Sequence, residues 1–191
     1  MTARLPDQIT GVLAREIAAR KEWDEPPCLY FLYVEGGTPR LSPLGLPTEV
    51  WETDRPPQVI MGMAVAAGNL AAVLRQAVPP GLYGMAFRHE AWTVAAIPGT
   101  AEAAGVERAA RQHRLHEHPA RIEVRGIWAV DRAGITYMAE QRRGEPAVRR
   151  DVSYPEPGQG YSGTIPEALD LLVTAFLGVT PPARPRTPEL G

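Results

Sequence analysis

Two short stretches hold residue types at spacings that could do chemistry. The first is GQGYSGT, residues 158–164. Gly158, Gly160 and Gly163 match the G-x-G-x-x-G spacing of a dinucleotide loop, whose glycines let backbone approach a pyrophosphate at a helix N-terminus. The same letters nearly spell the G-x-S-x-G turn around a serine nucleophile, with Thr164 where the last glycine belongs. The second stretch is HRLHEHP, residues 113–119, which holds three of the four histidines. On a continuous helix His113, His116 and Glu117 fall at i, i+3 and i+4, on one face. Two imidazoles and a carboxylate could ligate zinc there, with His118 close by.

Each fingerprint is weighed by the context its chemistry requires. A dinucleotide loop joins the first strand and helix of a βαβ unit, and a carboxylate about 20 residues on holds the ribose. Here the helix after the glycines runs into TPPARPRTPELG, which offers no parallel strand and only Glu189 at that offset. A hydrolase elbow delivers its acid and histidine after the serine, whereas all four histidines precede Ser162. TIPE at 164–167 instead reads as a capping box, Thr164 and Glu167 each satisfying the other's backbone N–H. The run 155–163 is therefore first of all the lead-in to a helix, where an anion could rest with help from Arg149 or Arg150.

The histidine segment meets a similar objection. Helical zinc motifs read H-E-x-x-H or H-x-x-E-H, and this one reads H-x-x-H-E among Arg111 and Arg114. Pro119 should stop the helix at or before His118, and cationic side chains in a last turn favour the negative end of the helix dipole. No metal ligand, catalytic residue or cofactor is assigned, and the binding residues stay unknown. A metal-assisted hydrolase built on His113 and His116, with His89 beside Glu90 as a further ligand or base, is the alternative reading.

Composition narrows the classes further. The 191 residues are 45% hydrophobic and 22% charged, with a net charge of −2, so no global field draws the chain to nucleic acid or an anionic membrane. Lys21 is the only lysine among twenty basic residues; together with abundant Ala, Gly and Pro, this points to a GC-rich genome of bacterial type. Cys28 is the single cysteine, so no internal disulfide is available, and its place in CLYFLYV suits a small buried hydrophobe. MTARLPDQ lacks the apolar core of a signal peptide, and no window holds 18 apolar residues in a row. A cytoplasmic location is expected.

The elements that must position these residues follow from periodicity. Ile9, Val12, Leu13 and Ile17 predict a helix over 6–21, begun by Pro6. CLYFLYVE suits a central strand, and PRLSPL an edge partner kept there by its prolines. A minor helix is expected at PTEVWE and a long one over 57–77. LYGMAFR and AWTVAA read as two short strands, followed by a peripheral helix over 101–117 capped by Thr100. RIEVRGIWAVD alternates, placing Ile122, Val124, Gly126, Trp128 and Val130 on one face. DRAG turns the chain into ITYMAEQRR, and AVRRDVSY adds a third antiparallel strand. A last helix over 165–177 ends at Gly178.

The class that results is α+β: a mostly antiparallel sheet with about four helices on one face or at its ends. It forms a single domain over 1–178, followed by a Pro-rich tail over 179–191 expected to be disordered. Trp23, Trp51, Trp92 and Trp128 suit packing more than a pocket. Glu123, Glu140 and Asp151 suit cross-strand neutralisation of neighbouring arginines. A nucleic-acid platform would want more aromatics among those arginines than Tyr137 and Tyr154 supply. The expected function is non-enzymatic binding, of a protein partner, of a second copy of the chain or of a small ligand.

Overall fold

The computed structural model describes residues 4–52, 56–96, 99–112, 114–155 and 164–178. Helix α1 (Leu5–Ala18) leads into strands β1 (Cys28–Glu35) and β2 (Thr38–Pro43), then helices α2 (Pro56–Asn69) and α3 (Ala71–Ala77). Strand β3 (Leu82–Thr93), helix α4 (Ala101–Arg111), strands β4 (Ile122–Asp131), β5 (Thr136–Arg142) and β6 (Val148–Ser153), and helix α5 (Thr164–Leu177) follow. The six strands form one antiparallel sheet in the order β2-β1-β3-β4-β5-β6. The α+β class and the antiparallel sheet are those the alternation predicts.

Side chains alternate across a strand, so each strand feeds two cores. Leu29, Met85, Phe87 and Val130 face one side, where α5 lies on β3 and β4 and α2 packs on α5. Tyr30, Leu32, Ala86, Ile127, Ala129 and Tyr137 face the other, covered by α1. The helices thus divide between both faces rather than gathering on one, because CLYFLYVE and GIWAV are apolar in both registers. Ile9, Leu13 and Ile17 of α1 are wholly buried, each contributing about 1.5–3 kcal/mol of apolar burial.

Local signals hold at most boundaries. Thr100 Oγ1 accepts from the Ala103 amide at 3.1 Å and caps α4, which stands at the periphery. Gly178 closes α5 with φ +67. In DRAG, Asp131 Oδ1 accepts from the Ala133 and Ile135 amides at 2.8 and 3.0 Å. β2 sits at the sheet edge, where its prolines interrupt no inner ladder. Two elements differ from expectation. The helix over 57–77 is broken at Leu70, just after Gly68 and Asn69, which propagate a helix poorly. LYGMAFR and AWTVAA are one strand, since His89 and Glu90 continue it into opposite faces. The tail over 179–191 lies outside the described residues.

Candidate functional site

The joining of those two segments creates a site. His89 on β3 is in register with Gly126 on β4, and Gly126 with Glu140 on β5. Two strand spacings put the His89 and Glu140 backbones about 10 Å apart, and the residue between them has no side chain. The result is a notch in the face that α5 covers elsewhere. Its rim carries Trp128, Val124 and Trp92, and the start of α5 supplies Thr164, Ile165 and Pro166. The pocket encloses about 260 Å³.

Gly126 is required neither by backbone conformation nor by packing. Its φ is not positive. A Cβ added to it would meet nothing closer than Trp128 Nε1 at 3.8 Å. Gly84, on β3, is the opposite case: a Cβ there would lie 2.2 Å from the Val130 carbonyl oxygen, so close backbone approach demands glycine. A glycine inside a strand that neither strain nor crowding explains is often a place where a ligand approaches the backbone closely.

The titratable groups among the described lining of the notch are neutral His89 and carboxylate Glu140. His89 stacks on Phe87, ring centroids 5.4 Å apart. Burial is the larger influence on its imidazole and lowers its pKa to about 4, against a smaller opposing effect of a hydrogen bond to the Glu90 backbone. It is therefore uncharged at neutral pH and offers hydrogen bonding without charge. Glu140 is half-buried and in register with Arg149. The expected neutralisation does not form, and Glu140 has neither an ion pair nor a hydrogen bond among the described residues.

The same strands carry a different arrangement on the α1 face. Arg125, next to Gly126, is 1% exposed and donates to Glu90 Oε1 at 2.8 Å and to the Arg20 carbonyl at 3.3 Å. It also donates to the Glu22 carbonyl and lies against the Trp23 ring. Arg88 donates to the Tyr30 hydroxyl and the Pro26 carbonyl and pairs with Glu25 at 3.3 Å. These buried guanidinia clamp the connection between α1 and β1 to the sheet. Asp24, Glu90 and Glu123 bring carboxylate oxygens within 4.8 Å of one another there, but Arg125 holds Glu90 and Arg143 holds Glu123. That cluster is an ion-pair network.

The other sequence candidates do not converge. α4 ends at Arg111, so the expected helix through Glu117 is not formed and the i, i+3, i+4 alignment is lost. His113 lies outside the described residues. His116 and Glu117 sit in a separate 3₁₀ turn, Leu115–Glu117; Glu117 accepts from Arg114 at 2.6 and 2.8 Å, which lowers its carboxyl pKa. His118 Nδ1 accepts from the Ala120 amide at 3.2 Å. Gly158, Gly160, Ser162 and Gly163 lie outside the described residues, although α5 begins at Thr164 as the lead-in reading expects. Cys28 packs against the α1-side core.

Of the tryptophans, Trp92 and Trp128 line the notch, while Trp51 packs on Phe87 at 5.3 Å. A larger surface hollow of about 500 Å³ lies beside the β1–β2 turn. Its Arg40 pairs with Glu35 at 2.8 Å and covers the Tyr33 ring at 4.3 Å, so its polar groups are already engaged. Among the described residues no helix is long and apolar enough to cross a membrane.

No protein family, no curated protein and no solved structure matches this chain.

Proposed function

We propose that this protein is a cytoplasmic binding module and that the notch above Gly126 takes a small ligand. The observation that carries this is Gly126 itself, a strand glycine that lines the pocket and where an added Cβ would make only ordinary contacts, at 3.8 and 4.0 Å. Around it stand one neutral imidazole, one carboxylate without an ion pair among the described residues and mostly apolar walls, the combination by which small-molecule sites fix orientation. At about 260 Å³ the notch is below the roughly 300–1,000 Å³ of drug-sized sites, so a ligand of one ring or less is the right scale. The test is ligand-detected NMR with single-ring aromatic fragments of each charge type, against the wild type and Gly126→Val. Binding that the valine abolishes supports the reading. If no fragment distinguishes the two proteins, the notch is not a ligand site.

An accessory role with a protein partner has its own observation. From Pro56 to Leu74 the chain carries no charged residue, yet Val65, Leu70 and Val73 are 62%, 57% and 65% exposed. An uncharged apolar face meets no like-charge repulsion against its own copy, so self-association is the partner that suits it best. Sedimentation velocity of wild type and Val65→Asp/Val73→Asp decides this. A dimer lost in the double variant supports it; a monomer in both removes it.

A further inference from the structure

The notch has a charge preference that its lining sets. Glu140 is the one formally charged residue among the described lining, and no partner among the described residues neutralises it. His89 adds no positive charge at neutral pH. The start of α5 forms the opposite wall, and a helix N-terminus is equivalent to roughly +0.5 of a charge. A full carboxylate outweighs that half charge, so the described lining is net negative; Arg149, in register with Glu140 on β6, is exposed and is not part of that lining. Arg142, the next same-face residue on β5, extends to Glu145 at 3.8 Å and does not line the notch.

We infer that the ligand of this site is a small ammonium compound with a flat apolar body. The ammonium sits in the gap that Gly126 leaves beside Glu140, donating to the carboxylate. The apolar body lies along Trp128, Val124 and Ile165, and His89 accepts or donates at the near edge. A carboxylate-bearing ligand without an amine would face Glu140 across the same gap and be repelled. This inference rests on the proposed ligand-binding role of the notch.

Three single-ring probes of similar size separate the two claims: benzylamine, benzyl alcohol and benzoate, titrated by NMR into wild type, Glu140→Gln and Gly126→Val. Thermal unfolding of each variant confirms that it is folded. Benzylamine is expected to bind wild type about tenfold tighter than benzyl alcohol, the scale of one charge-assisted hydrogen bond. Glu140→Gln should erase that preference. If the alcohol or benzoate binds as well as the amine, and Gly126→Val abolishes it, the ammonium assignment is wrong and the ligand site stands. If no probe shows Gly126-dependent binding, both fall together.

Discussion

Arg125 and Gly126 are neighbours on one strand and point into opposite worlds. On the α1 face, Arg125 is almost wholly buried, and its guanidinium has a carboxylate, two carbonyls and an indole ring around it. On the α5 face, Gly126 lies between a neutral His89 and a Glu140 that has no ion pair among the described residues, with room for a Cβ at ordinary contact distance. Both regions place polar groups at the same level of the sheet. In one of them the Arg125 guanidinium is matched within the fold, which is what a structural clamp requires. In the other, the matching is left unfinished, which is what a binding site requires.

The largest effect should come from breaking the clamp. Arg125→Leu leaves Glu90 without its main partner in a half-buried position, and breaking such a pair costs about 3–5 kcal/mol. Urea unfolding measures it. A loss under 1 kcal/mol would assign Arg125 the worth of a surface ion pair and dissolve the contrast between the two faces.

His89 should give the next effect, read through pH. Its folded pKa, about 4, lies below its ordinary value of 6.5, so the unfolded chain takes up a proton first as pH falls. The stabilising contribution of the neutral ring is full above pH 6.5 and is lost as pH drops toward 4. The loss approaches about 3 kcal/mol at 1.36 kcal/mol per pKa unit. Denaturation midpoints for wild type and His89→Gln across that range should converge in acid; parallel curves would mean that His89 is solvated.

The two strand glycines sharpen the contrast at smaller scale. Gly84→Ala forces a Cβ against the Val130 carbonyl and should destabilise by about 1–3 kcal/mol. Gly126→Ala has room for its Cβ and should stabilise by about 0.5–1 kcal/mol, since glycine weakens a strand. Calorimetry on both variants reads the signs directly. If Gly126→Ala destabilises as much as Gly84→Ala, the notch is packing space rather than ligand space.

Most of the fold is written in periodicity. Alternation in RIEVRGIWAVD, the edge prolines of PRLSPL, the Thr100 cap and the Gly178 stop each state a local preference that the tertiary structure keeps. The site was much less legible, because it depends on register between strands far apart in sequence. His89 and Glu90 look like a polar break between two short strands; only pairing with β4 shows that one feeds the notch and the other the clamp. Arg125 reads as the polar half of an alternating strand, and nothing local announces that the α1–β1 connection folds over it. Gly126 within an otherwise regular strand was the one signal in the sequence that could have marked the notch, since a strand interior normally avoids glycine. The histidine run misled for a related reason: composition suggests ligands, but α4 ends at Arg111 and the imidazoles lose their common helix.

The most direct test of the central claim is an amide-resolved NMR titration with benzylamine, because the molecule offers a cation two acidic destinations on opposite faces. Shifts gathered on His89, Gly126, Glu140 and Ile165, and absent in Gly126→Val, are the expected result. Shifts gathered instead on Asp24, Glu90 and Glu123, or spread over the surface without dependence on Gly126, would contradict it.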